Sequence, residues 1–209
     1  MMEGLYVRLE PLEIEKHGDE LFEAATAGDS DGRFRWLYED TPASREAFQP
    51  WLEMAHGSED PMYFAVIDLK TGKVAGRQTM MRMDPDNGVA EIGNIHWGPE
   101  IQQTPATTEA FYLFASHLFD ELGYRRFEWK CNNRNIPSKD AALRYGMQPE
   151  GVFRQAAVVK GENRDTAWFS LCDFEWVKAG EAMKQWLHTD NFDDEGKQIR
   201  RLEEIRRNL

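Results

Sequence analysis

Residues Ala90 to Trp129 read AEIGNIHWGPEIQQTPATTEAFYLFASHLFDELGYRRFEW: a strand, a short polar loop, a long amphipathic helix and a second strand. The junction Gln102-Gln103-Thr104-Pro105-Ala106-Thr107-Thr108 carries no acidic residue between Glu100 and Glu109. Thr104 suits the cap of a helix and Pro105 its first position, where a missing N–H costs nothing. A helix start of this kind either is an ordinary capped terminus or receives an anion, because its first N–H groups lack intrahelical partners and carry partial positive charge.

The flanking chain extends the pattern. Leu5 to Leu9 alternates as a strand, and His17 to Ala27 reads as a helix stopped by Gly28. Asp29 to Asp40 is irregular but carries Phe34, Trp36 and Tyr38. Thr41-Pro42 restarts helix, with an apolar face of Phe48, Trp51, Leu52 and Ala55. Met62 to Leu69, Val74 to Met83 and Val89 to Trp97 form an antiparallel meander across two turns. Pro105 to Leu122 places Phe111, Phe114, Leu118 and Leu122 on one stripe, which reads as core. Arg125 to Cys131 is a strand and Pro137 to Tyr145 a short helix; Gly151 to Val159 and Arg164 to Phe174 flank a hairpin turn. The order predicts an α/β (mixed α+β) fold, a mixed and mostly antiparallel sheet with helices on both faces. After Trp176 the composition turns polar, with helices expected around Val177 to His188 and Glu195 to Asn208. The organisation expected is therefore a domain over 1–176 and a helical C-terminal extension over 177–209, packed on the domain or at a homodimer contact.

Composition narrows the function classes. With 209 residues and 41% hydrophobic content, the chain fits one domain of ordinary size. Its 37 acidic against 25 basic residues give a net charge of -12, which repels nucleic acid and anionic membrane and favours a cationic amine. Only Cys131 and Cys172 are present, too few for a disulfide framework, and Cys131 reads as a buried structural thiol. No apolar run reaches the roughly 20 residues of a membrane span, and Met1 opens no signal segment, so a cytoplasmic protein is expected. Asp84-x-Asp86 lacks the glycine and glutamate of a calcium loop, with Val89 and Ile95 at those positions. No Gly-x-Ser-x-Gly, His-Glu-x-x-His or phosphate-loop motif occurs, and no metal site is expected.

Two motifs give these elements a chemistry. Ala90 to Met147 resembles the acyl-CoA-binding core of the GNAT acyltransferase superfamily, and Tyr6 to Trp176 resembles its ribosomal-protein-alanine acetyltransferase-like branch. The family's Gln/Arg-x-x-Gly-x-Gly/Ala loop aligns with Gln102, Gln103, Thr104, Pro105, Ala106 and Thr107. Here Pro105 replaces the first glycine and removes an N–H, and Thr107 stands at the small position; Thr107 and Thr108 offer hydroxyl donors instead. The second motif, Asn-x-x-Ser, aligns with Asn135-Ile136-Pro137-Ser138.

The resemblance implies splayed central strands with acetyl-CoA in the gap and no metal. It implies that Asn135 holds the pantetheine arm and that Ser138 donates a proton to the leaving thiolate; Ala142 stands where other branches have a tyrosine. It further implies that backbone groups of Ile95 and Trp97 pair with the pantetheine amides, and that Glu91 is the base. Asn135 and Ser138 as plain helix caps, Glu91 as an exposed strand residue, catalysis through water, and a weaker candidate in His96 are the readings beside these. Phe34, Trp36 and Tyr38 wall the amine pocket or belong to the core. The function implied is acetyl transfer to a primary amine, either a peptide N-terminus or a small molecule, by direct attack on the thioester. An α-amine with pKa near 8 is neutral about a tenth of the time at neutral pH, whereas lysine is neutral roughly once in a few thousand, which favours the former. The rival is a catalytically silent CoA-binding module.

Overall fold

The computed structural model describes residues 1–209. Its sheet has eight strands: β1 Met2–Glu3, β2 Val7–Pro11, β3 Met62–Asp68, β4 Lys73–Asp84, β5 Val89–Trp97, β6 Arg126–Asn132, β7 Gln148–Val159 and β8 Glu162–Cys172. The spatial order is β1-β2-β3-β4-β5-β6-β8-β7, and every pairing is antiparallel except that of β5 with β6. A parallel pair cannot be joined by a tight turn. The connection here is α4, Pro105–Ser116, which lies between the two strands in sequence.

Helices cover both faces. On one, α1 (Ile14–Thr26) and α3 (Arg45–His56) bury Leu21, Phe48 and Leu52 against Tyr63, Ala65 and Ile67. On the other, α4 sets Phe111 against Phe127 at 5.5 Å and Tyr145 at 4.5 Å, and Phe114 edge-on to Phe64 at 5.1 Å. Strict alternation sorts β6: Phe127, Trp129 and Cys131 are buried under α4, while Arg126, Glu128 and Lys130 point to the other face.

The central pair splays. Pairing of β5 with β6 runs from Val89↔Arg126 only to Ile92↔Trp129. Beyond it Asn94 adopts φ +46, and the register of β5 on β4 shifts between Arg77 and Thr79. A bulge of this kind bends a strand away from its neighbour, so Gly93 to Trp97 leave β6.

Three expectations require correction. The segment Asp29 to Asp40 holds a short helix, α2 (Ser30–Phe34), because the Asp29 side chain accepts from the Gly32 N–H. The long helix does not run regularly to Leu122: after Ser116 it widens into a π-turn, His117–Glu121, closed by Leu122 N–H to the His117 carbonyl. That turn rotates the end of the stripe, burying Leu118 and Phe119 and leaving Leu122 exposed. The tail helices also begin elsewhere than expected. The first, α6 (Asp173–Leu187), follows β8 directly, and α7 starts only at Leu202 and ends at Asn208. Residues 193–200 are held as a loop by Asn191, whose side chain bonds the Trp186 carbonyl, the Arg200 carbonyl and the Arg200 N–H. Trp176, Met183, Trp186, Leu202 and Ile205 all join the core under α4.

Candidate active site

The opening between β5 and β6 belongs to a cleft of about 1310 Å³. Its walls come from α2 and the loop after it, the start of α4, α5 (Ile136–Arg144), the β7–β8 hairpin and the tail.

At the α4 end, Gln103 enters the left-handed region at φ +60 and turns the loop into the helix. Thr104 caps it, its hydroxyl donating to the Ile101 carbonyl at 2.7 Å and accepting from the Ala106 N–H at 3.3 Å. Gln102 Nε2 donates to the Trp97 carbonyl at 2.8 Å. Ala106, Thr107 and Thr108 are buried. Both hydroxyls bond within the protein: Thr107 Oγ1 donates to the Thr104 carbonyl, and Thr108 Oγ1 accepts from Arg144 Nη1 at 2.8 Å, which leaves its own O–H to donate. The reason is the tight first turn, which brings Thr104 within reach of one and α5 within reach of the other. Arg144 is thereby fixed at the positive end of α4, over the Trp186 ring at 4.6 Å. Two cationic features, a guanidinium and a helix start, meet there and suit phosphate oxygens.

Where the strands part, α5 supplies Asn135 and Ser138. Asn135 caps the helix, accepting from the Ser138 N–H at 3.3 Å. The Ser138 hydroxyl accepts from the Trp129 indole N–H at 2.9 Å, which occupies a lone pair and leaves its own O–H to donate. Cys131 lies beside it; burial pushes this thiol up, partly offset by its hydrogen bond with Ser138. Asn135 thus caps the helix while the Ser138 hydroxyl serves Trp129 instead, and both residues line the cleft.

Glu91, 5% exposed, faces the same opening. Its Oε2 lies 2.6 Å from Lys130 Nζ and 3.3 Å from Arg82 Nε. It is therefore no exposed strand residue. Burial pushes its carboxyl above the ordinary range, with Lys130 and Arg82 pulling the other way. His96 is a different case. Buried among Arg33, Arg77 and Phe34, its imidazole is held down to about 3 by desolvation first and the two guanidinium groups second, so it stays neutral and is a poor base.

The three aromatics separate. Trp36 and Tyr38 line the cleft, whereas Phe34, 2% exposed, packs on His96 at 4.8 Å behind the wall. An aromatic run on an irregular segment gives no periodicity to reveal which member turns inward. Sequence reasoning also missed Arg164, Trp168 and Arg82. These come together only when the hairpin and β4 fold over the gap. Lys130 and Arg144 had one signal, the run of basic residues Arg125, Arg126, Lys130, Arg134, Lys139 and Arg144 in the sequence. Ile95 and Trp97 lie on the part of β5 that β6 does not pair.

No helix is long and apolar enough to cross a membrane, and no group of His, Cys, Asp or Glu is placed to hold a metal ion.

Comparison with known proteins bears on this geometry. A family model described as acetyltransferase (GNAT) domain matches residues 7–148. A GCN5-related N-acetyltransferase from Brucella melitensis, of solved structure, is 57% identical with a TM-score of 0.98, covering 100% of this chain and 94% of that one. The uncharacterized N-acetyltransferase p20 of Bacillus licheniformis is 31% identical over 118 residues, which is 54% of this chain and 64% of that protein, so the match spans less than two thirds of it. An acetyltransferase from Salmonella typhimurium, which modifies the N-terminal serine of a 50S ribosomal subunit protein, shares the fold. Its TM-score is 0.69 at 20% identity, covering 81% of this chain and 96% of that one.

Proposed function

The chain belongs to the GNAT acetyltransferase family, and on that premise we propose that it transfers an acetyl group from acetyl-CoA to a primary amine by direct attack on the thioester. The acceptor is a peptide N-terminus or a small-molecule amine. The observation that carries this reading is the unpaired stretch of β5 beyond Ile92, in a cleft lined also by the α4 start, Arg144, Glu91 and Ser138. The cleft volume and the donor set fit acetyl-CoA: α4 and Arg144 for phosphate, Asn135 and the backbone of Ile95 and Trp97 for the pantetheine amides, Ser138 for the sulfur.

Acetyl-CoA supplies the activated acyl carbon; the amine nitrogen forms a bond to it as the carbon–sulfur bond breaks. Glu91, directly or through water, takes the proton that the amine must lose. Ser138, whose hydroxyl accepts from the Trp129 indole and so has its O–H as a donor, turns that O–H from Cys131 to the departing thiolate. No covalent enzyme intermediate is needed, and Cys131, whose thiol is disfavoured from ionising, is not used as a nucleophile. Amine-dependent release of free CoA thiol, with the acetylated product identified by mass, tests the reading. Tight CoA binding without turnover on any amine would instead favour a silent CoA-binding module.

A further inference from the structure

β8 carries Arg164, Thr166 and Trp168 at alternate positions, which a pleated strand presents on one face, and all three line the cleft. Arg164 is 9% exposed and its Nε has no hydrogen-bond partner. No carboxylate of the chain pairs with it: Glu39 and Asp40, the acids that follow Tyr38 in the chain, pair with Arg77 and Lys160, and Glu91 is held by Lys130 and Arg82. Its one partner is the face of the Tyr38 ring, 5.0 Å from the guanidinium carbon. Trp168, two positions further along the same face, has its indole N–H buried and unpartnered as well. The ring lies 4.7 Å from that of Phe153 and 3.7 Å from Lys130 Nζ.

A buried guanidinium without a counter-ion is costly, and so is a buried donor without an acceptor. Both groups donate only. What satisfies them is an acceptor-only, negatively charged group. We infer that this face of the cleft binds a carboxylate, and that the acceptor of the reaction is a small molecule carrying both a primary amine and an acid group. The inference rests on the transferase reading and deepens it. It also reconciles the site with a chain of net charge -12: the acidic surface draws the amine, and the isolated Arg164 selects among amines for those that bring their own anion. The phosphates of the thioester substrate are the other anions within the cleft, but Arg144 at the start of α4 already suits them, while Arg164 sits on β8 against Tyr38.

The test uses amino acids and dipeptides, each as the free acid and as its C-terminal amide, with the full-length protein and Arg164→Gln. The wild type is expected to prefer each free acid by roughly tenfold or more in kcat/KM, the order expected of a charged hydrogen bond. Arg164→Gln is expected to abolish that preference by raising KM for the acids, with the amides and the acetyl-CoA Kd within about twofold of wild type. Arg164→Lys, keeping the charge without the planar fork, is expected to retain part of it. Calorimetry of a free-acid dipeptide on the CoA-loaded protein gives a readout independent of turnover. Binding there that is lost in Arg164→Gln, with no acetylation of any amine, sinks the transferase reading and keeps the carboxylate site. Equal use of acids and amides by the wild type overturns the site and keeps the transferase. Loss of acetyl-CoA affinity in Arg164→Gln also overturns it, giving the guanidinium to the phosphates.

Discussion

Lys130 Nζ, one residue past the last paired rung of β6, reaches across to within 2.6 Å of Glu91 Oε2 on β5. The ion pair positions a carboxylate whose proton affinity burial has raised, which makes it a stronger base than an exposed glutamate. Glu91→Gln is expected to lower kcat by about tenfold to a hundredfold at neutral pH, and to recover toward wild type above the amine's own pKa, where solvent has already removed the proton. A deficit uniform in pH would reduce Glu91 to positioning the cation. The same shift has a stability consequence. The folded form binds this proton more tightly than the unfolded chain, so Glu91's contribution is full below its ordinary value of 4.5 and is lost as pH rises through the raised value. Denaturation profiles of the Gln variant are expected to lack that slope.

Ser138→Ala removes both the proposed acid and the acceptor of the Trp129 indole N–H. Turnover is expected to fall by about tenfold to a hundredfold while the CoA Kd stays within a few fold. Stability is expected to drop by about 1 kcal/mol from the orphaned donor. Loss confined to stability and CoA affinity would leave Ser138 a structural partner of Trp129.

His96 is expected to remain neutral from mild acid upward, since its pKa is held down to about 3. Its folded value lies below its unfolded one, so its contribution to stability is present above the ordinary value of 6.5 and declines as pH falls below that. Nitrogen-15 NMR of the imidazole between pH 5 and 8 checks this; a titration in that window would restore His96 as a base.

Leu202, fully buried on α7, packs in the same core as Phe111 and Trp186. Leu202→Ala is expected to cost about 2–4 kcal/mol, measured by chemical denaturation. A change near zero would make the tail an independent appendage.

What the sequence revealed followed physical range. Alternation in β6 and the Thr104-Pro105 start of α4 are local signals, and both elements formed where those signals lay. The π-turn at His117–Glu121 was invisible because Leu118 and Leu122 fit the ordinary helical stripe; it shows only in the folded chain, where Phe119 stacks on Trp176, whose indole bonds Asp120. The late start of α7 depended on one buried side chain, Asn191. Within the site, Asn135 and Ser138 were legible from their spacing. Arg164 was not, because an arginine on a strand shows its missing partner only when the whole surround is built.

The most direct test of the account is CoA thiol release from acetyl-CoA across a panel of primary amines, with product mass measured in parallel. Release is expected to require an amine, with one acetyl group gained per thiol freed and acids preferred over their amides. CoA binding that stabilises the protein but gives no amine-dependent thiol release anywhere in the panel would contradict it.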